Sequence, residues 1–175
     1  EKYFQINLPH GVSSRYRPNT PIITSRGCPA NCIFCSIHSI WGHKYRARSP
    51  ENVISELKLL KKNYGIREVQ FEDDNLTFDK KRALALFELM AKEIPDIAWT
   101  TPNGVALWTL DKELLSKMRQ SGCYRLCLAI ESGDRQFLNQ TIGKPLDLNQ
   151  VKTLMPYIKK MGFETDAFFV VGFPD

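Results

Sequence analysis

Residues 26–35 read Arg26-Gly27-Cys28-Pro29-Ala30-Asn31-Cys32-Ile33-Phe34-Cys35, and this Cys-x3-Cys-x2-Cys spacing lets one short loop present three thiolates to a single metal centre. Thiolates select soft metals, chiefly zinc and iron–sulfur clusters. A structural zinc site is closed by four ligands, and the fourth here would have to be His38 or His43, of which Cys35-x2-His38 has a permissible zinc spacing. Electron-carrying ferredoxin clusters take four cysteines. A [4Fe–4S] cluster held by three leaves one iron open to a small molecule, and an open iron belongs to an enzyme rather than to a structural staple.

Outward from the loop, strands and helices alternate. Pro21-Ile22-Ile23-Thr24-Ser25 reads as a short buried strand that delivers the cysteines, and residues 1–20, with Gly, Pro, Ser and Asn and little periodicity, read as a leading segment or linker. Ser49 caps a helix with Pro50 at its first position, Val53, Ile54, Leu57 and Leu60 on its buried face, and Gly65 as its stop. Glu68–Phe71 is a second strand, followed by the acidic turn Glu72-Asp73-Asp74-Asn75. Asp79 caps a second helix to about Glu93. A third strand lies near Ile97–Thr101 with Thr101-Pro102-Asn103-Gly104 as the turn after it, and Asp111 opens a third helix that ends at Gly122. Tyr124–Ile130 is a fourth strand ending on Glu131-Ser132-Gly133. Helical pieces near residues 134–141 and 148–161, the second bent by Pro156, precede a fifth strand at residues 164–171. Strands separated by helices of this length make right-handed parallel βαβ units. The fold class is therefore α/β, a partial (β/α) TIM-like barrel of about five parallel strands over residues 21–175.

At 175 residues the chain is one domain by length, large enough to bury roughly 70% of its unfolded surface without disulfides. The formal charge of +5 comes from 24 Lys and Arg against 19 Asp and Glu, spread over solvated helix faces (Lys58, Lys61, Lys62, Lys80, Lys81, Arg82), so a nucleic-acid partner is not the reading this charge favours. Five cysteines, three of them clustered, fit a reducing, cytoplasmic setting. Cys123 and Cys127 form a second Cys-x3-Cys pair, read as packing residues rather than an auxiliary cluster. No apolar run approaches the ~18 residues of a membrane helix, and no signal peptide is visible.

The cysteine run, with aromatic Phe34 just before its last cysteine, resembles the signature of the radical S-adenosylmethionine (SAM) superfamily. The resemblance covers the chain from about Pro21 to Pro174. It implies a [4Fe–4S] cluster on Cys28, Cys32 and Cys35, SAM chelated at the open iron, and Phe34 against the adenine. Cleavage of SAM's carbon–sulfur bond by an electron from the cluster then usually gives a 5′-deoxyadenosyl radical. It also implies a one-electron reductant such as flavodoxin or ferredoxin, and a substrate that the sequence does not identify. Superfamily cores resemble a six-stranded partial barrel, so a final strand and helix are missing here, as in a fragment of a longer protein.

Sites in parallel barrels form at the carboxyl ends of the strands, where every unusual motif falls. Period-two alternation along the fourth strand puts Cys127, Ala129 and Glu131 on one side and Leu126, Leu128 and Ile130 on the other, so Glu131 points at a cofactor. The resemblance carries a SAM-contacting role to Glu131 and Ser132. Asp73, Asp74 and Asn75 stand where many superfamily members have a Gly-Gly-Glu run for SAM's amino group; this chain lacks that run, and the resemblance assigns these three residues to SAM binding in its place. Gly172 and Pro174 match a Gly-x-Pro turn near the cofactor. His38, Trp41, His43, Arg46 and Arg48 follow the loop at the mouth of the site.

The Phe-x-Asp-Asp pattern, the Arg46-x-Arg48-Ser49-Pro50 run and Glu131-Ser132-Gly133 are most similar to the cobalamin-binding branch, which often methylates unactivated carbon or phosphorus. On that resemblance a cobalamin domain lies before Glu1. The alternatives are an RNA-modifying, methylthiotransferase-like enzyme and a non-catalytic zinc-binding interaction domain.

Overall fold

The computed structural model describes residues 14–173 and Lys2; the rest of residues 1–13, with Pro174 and Asp175, lie outside the described residues. Five parallel strands form one sheet in the order β1 (Asn19–Ile22), β4 (Glu68–Phe71), β5 (Ala98–Val105), β6 (Cys123–Glu131) and β7 (Glu164–Phe169). Between them run α2 (Pro50–Tyr64), α3 (Lys80–Glu93), α4 (Lys112–Gln120) and α5 (Leu148–Lys160). This is the partial parallel barrel that the alternating pattern predicts. A two-stranded antiparallel ribbon, β2 (Ser25–Arg26) with β3 (Arg46–Ala47), and a short helix α1 (Ile37–Trp41) lie within the cysteine excursion.

Local chemistry sets the helix ends. Ser49 Oγ accepts from Asn52 N, Asp79 from Arg82 N, and Asp111 from Leu114 N, each satisfying an otherwise orphaned helix-terminal N–H. Gly65 closes α2 in the left-handed conformation. Pro156 lies inside α5 without ending it.

The apolar faces of the helices meet one face of the sheet. Val69 and Phe71 of β4, Trp99 of β5 and Leu126 and Leu128 of β6 are sealed against Val53, Leu57, Leu86, Phe87, Met90, Leu114 and Leu115. Trp99 stacks on Phe87 at 5.0 Å and meets Phe71 edge-on at 5.1 Å, while its indole N–H donates to the Ser121 carbonyl at 3.0 Å. The alternation along β6 holds: Leu126 and Leu128 enter this core and Ile130 packs against it, while Ala129 and Glu131 face the open side. Exposed lysines join neighbouring elements, Lys58 to Glu93, Lys61 to Asp96, and Lys80 to Asp111 and Glu113.

Several boundaries differ from the sequence reading. β1 starts at Asn19 and stops at Ile22, and Ser25 belongs to the ribbon. The third parallel strand continues to Val105, so Thr101–Gly104 is not a loop after it but part of it. The physical reason is a register shift: Thr101 pairs with Leu126 and Val105 with Leu128, so Pro102 sits in a bulged stretch where its missing N–H costs no ladder bond. The piece after β6 is π-helical over Phe137–Ile142. The fifth strand ends at Phe169, two residues short of Val171. Cys123 is fully buried in the helix-side core and Cys127 is buried beside Thr101, so both are packing residues.

Candidate functional site

At the carboxyl ends of the parallel strands a cavity of about 250 Å³ is lined by Cys28, Cys32, Phe34 and Cys35 from the excursion and by Asp73, Asp74 and Asn75 after β4. Asn103, Gly104, Ala106 and Trp108 from the β5 end, Ala129 and Glu131 from β6, and Lys144 complete it.

The cysteine-bearing excursion is gripped at its neck. Arg48 N donates to the Thr24 carbonyl at 2.9 Å, joining the residues that flank the ribbon. From α3 the buried Arg82 donates to both carbonyls there, Nε to Arg48 O at 2.8 Å and Nη2 to Thr24 O at 3.2 Å. Asp73, itself buried, accepts from Thr24 N at 3.1 Å, Thr24 Oγ1 at 2.7 Å and Ser25 Oγ at 2.5 Å. Asp74 accepts from Gly27 N at 2.7 Å. Gly27 has φ +84°, and a Cβ there would collide with the Lys44 carbonyl, so glycine alone fits the entrance of the loop. From the far side, Ile33 N donates to Ile142 O at 2.9 Å.

Burial raises the pKa of Asp73 above the usual carboxylate value, opposed by the bonds from Ser25 and Thr24. Its stability contribution is therefore complete below the unfolded-state pKa and is lost as pH rises through the raised folded-state value. Asp73→Asn removes that falling component and turns an amide N–H toward the Thr24 N–H. An expected loss of about 1–3 kcal/mol at neutral pH, with a flatter stability profile through the acid range, is read by urea unfolding at a series of pH values. A profile that keeps the wild-type slope would assign the slope to another group.

Asn75 turns toward the thiols rather than toward open space. Its Nδ2 lies 3.6 Å from Cys28 Sγ, and its buried Oδ1 has no hydrogen-bond partner among the described residues. Glu131 has φ +69°, the only non-glycine residue in the left-handed region among the described residues, a conformation costing about 1–3 kcal/mol that persists where surroundings enforce it. Here Val170 N donates to its carbonyl at 3.0 Å, and Lys144 Nζ donates to Oε1 at 2.9 Å, both side chains being under 10% exposed. Burial pushes the Cys32 thiol pKa up, with the Lys144 ammonium pulling against it.

The sequence-predicted residues divide accordingly. Cys28, Cys32, Cys35, Phe34, Asp73, Asp74, Asn75 and Glu131 all line the one cavity. Ser132 does not; its hydroxyl accepts from Asp134 N. Gly172 does not either; its φ is +82°, and a Cβ there would meet nothing within 4 Å. His38 and His43 stack on each other at 3.7 Å, and His38 Nε2 is 3.0 Å from the Cys28 carbonyl. Arg48 binds Asn52 and Glu56 at the start of α2. Lys144 escaped the sequence reading; a lone basic residue between Gly143 and Pro145 carries no periodic signal, and only the fold brings it to Glu131.

Among the described residues, no group of three or more His, Cys, Asp or Glu converges to hold one metal ion. An iron–sulfur cluster asks for something else, since each thiolate binds a different iron at the cluster's corners. The donor set fits such a group: three sulfurs from one loop, an amide N–H aimed at one of them, and an adjoining cavity with an unpartnered amide oxygen, a carboxylate and an ammonium.

A parallel partial barrel with three loop cysteines at its carboxyl mouth is the architecture of a radical SAM core. The profile of the Radical SAM superfamily matches residues 22–175, and the chain belongs to that superfamily. It is 42% identical over 177 residues to cytidylyl-2-hydroxyethylphosphonate methyltransferase of Streptomyces wedmorensis, covering 99% of this chain and 32% of that protein. In fold it is similar to the radical SAM methyltransferase TsrM of Kitasatospora setae, solved with tryptophan and a SAM analogue (TM-score 0.78, 18% identity, 89% of this chain and 31% of that one). It is also similar to the cobalamin-dependent SAM radical enzyme OxsB, solved with aqua-cobalamin and SAM (TM-score 0.66, 20% identity, 86% of this chain and 23% of that one). The chain spans about a third of the length of the curated relatives it matches, 32% and 36% for two of them. No helix among the described residues is long and apolar enough to cross a membrane.

Proposed function

We propose that this chain is the SAM-cleaving core of a cobalamin-dependent radical SAM methyltransferase, whose cobalamin is held by a domain outside residues 1–175. The observation that carries the reading is the meeting of Cys28, Cys32 and Cys35 with Asn75, Glu131 and Lys144 around one cavity at the strand ends. Likeness to the Streptomyces methyltransferase supports methyl transfer as the outcome. When bound on the three cysteines, a [4Fe–4S] cluster supplies one electron to the sulfonium of SAM.

The chain's own residues do the rest. Asn75 Nδ2 donates toward Cys28 Sγ, and Asn75 Oδ1 is an acceptor for an ammonium. Lys144 offers a cation to a carboxylate, and Glu131 holds it in place while presenting a carboxylate oxygen to hydroxyl donors. Phe34 gives an aromatic wall to a purine. Trp108, Ala106 and Ala129 line the cavity with apolar surface, which limits the water that would quench a reactive intermediate. Asp73 acts on the loop rather than on a ligand, because both its carboxylate oxygens are taken up by Thr24 and Ser25, while Asp74 gives Oδ2 to Gly27 N and lines the cavity.

The test uses the full-length protein, isolated anaerobically and supplied with cobalamin, with iron, sulfide and retained cobalamin assayed and the methyl group of SAM traced. Retained cobalamin with methyl transfer to an acceptor supports the proposal. Iron, sulfide and SAM cleavage without cobalamin would keep the SAM-cleaving core and remove the methyltransferase.

A further inference from the structure

The amino-terminal end of the sheet carries a second cavity, of about 350 Å³, larger than the one at the cysteines. Three arginines from separate parts of the chain border it: Arg15 ahead of β1, Arg67 ahead of β4 and Arg119 in the last turn of α4. Each guanidinium lies over an aromatic ring, Arg15 over Tyr124 at 4.2 Å, Arg67 over Tyr16 at 5.0 Å and Arg119 over Phe163 at 5.7 Å. Stacking of this kind holds the planar fork in place and leaves its edge N–H groups to acceptors. Arg119 is fixed further, since its Nη1 donates to the Cys123 carbonyl at 2.9 Å.

The charges here do not cancel. Arg15 pairs with Glu164, but neither Arg67 nor Arg119 makes an ion pair with a described residue. The nearby acids are occupied. Glu68 is fully buried and accepts from the backbone N–H groups of Arg15 and Tyr16, each at 2.8 Å, and from the Tyr124 hydroxyl at 3.0 Å. Asp96 borders the cavity, but Lys61 Nζ holds its carboxylate at 2.6 Å. A cation in the last turn complements a helix dipole, which accounts for Arg119; Arg67 belongs to no helix. The helix ends at this side present carbonyls that disfavour an anion, and Gly65 N, Ile94 N and Ser121 N take up one at each.

We propose that this cavity is a binding site for a small phosphorylated molecule, held by Arg67 and Arg119. Two guanidinium forks without carboxylate partners border one cavity, and a phosphate monoester has three terminal oxygens to share between them. A planar carboxylate has two, which one fork satisfies. The remaining lining suits the rest of such a molecule: Tyr16, Pro95, Ile97 and Tyr124 offer apolar and aromatic surface, the usual mixture of a small-molecule site. The site is independent of SAM cleavage. Strands β5 and β6, eight and nine residues long, put on the order of 25 Å between it and the cysteine mouth.

The experiment titrates the full-length protein by calorimetry with phenyl phosphate, at low and at high salt, and repeats the titration with benzoate. A site here predicts one phenyl phosphate per chain, bound more tightly than benzoate and weakened by salt. Arg67→Gln and Arg119→Gln should each lower that affinity on the order of tenfold, through loss of a charge-assisted contact. Arg119→Gln also removes the bond to the Cys123 carbonyl. Should that variant fold poorly, Arg67→Gln, which breaks no side-chain hydrogen bond to a described residue, carries the expected loss by itself. Saturating SAM leaves the affinity unchanged, because the cysteine cavity lies at the other end of the strands. Affinity that neither arginine variant lowers means an adventitious ion only and overturns the proposal, as does a titration with no binding. Displacement of phenyl phosphate by SAM would put the anion at the cysteine mouth and overturn it too. Equal affinity for benzoate overturns the choice of phosphate.

Discussion

Alanine in place of any one of Cys28, Cys32 or Cys35 is expected to reduce bound iron and sulfide to background after anaerobic reconstitution and to abolish SAM cleavage, while the protein stays folded. The argument has two independent parts. Each thiolate holds one corner of the cluster, so two cannot replace three. The fold does not depend on them: Cys28 and Cys32 are half-buried, Cys35 is exposed, and none belongs to the core between helices and sheet. The change in unfolding free energy of the metal-free protein should stay within about 1 kcal/mol. Iron analysis and urea unfolding of the same samples read both parts. A variant that keeps its iron would show that the removed sulfur is not a ligand.

The second large effect concerns the buried pair. In Lys144→Met the Glu131 carboxylate remains buried without its counter-ion, at a left-handed backbone position that Lys144 helps enforce. Breaking one side of such a pair costs about 3–5 kcal/mol, a large fraction of a domain's stability. Changing both residues, Glu131→Gln with Lys144→Met, should recover much of that loss, because the stranded charge is gone. SAM affinity should fall in both variants, and in Glu131→Ala, while iron binding persists. The measurements are urea unfolding across the double-mutant cycle and SAM titration of the reconstituted protein. A Lys144→Met cost no larger than an ordinary surface change would mean that water or another cation relieves Glu131. Unchanged SAM affinity in Glu131→Ala would reduce that carboxylate to a structural role.

What the sequence made legible was local. Ser49-Pro50, Asp79 and Asp111 announce helix starts because a cap depends on three or four neighbouring residues. The alternation of β6 announces which side Glu131 faces because a strand's period is two. The three cysteines announce themselves by spacing alone.

What escaped depends on contacts between distant residues. Asp73 reads as a ligand-binding acid in sequence, yet its carboxylate closes the neck of the cysteine excursion by bonding Thr24 and Ser25, 49 and 48 residues away. Lys144 meets Glu131 through a π-helical turn whose i+5 bonding no hydrophobic pattern encodes. The run from Thr101 to Gly104 looks like a turn because of its proline and glycine; only pairing with β6 reveals the bulge that absorbs both.

The most direct test of the central claim is anaerobic reconstitution with iron and sulfide, followed by electron paramagnetic resonance of the reduced protein with and without SAM. The account predicts a [4Fe–4S]⁺ signal that changes when SAM is added, because one iron carries no cysteine and is open to the ligand. A signal indifferent to SAM, or a protein that takes up zinc and no cluster, would contradict it.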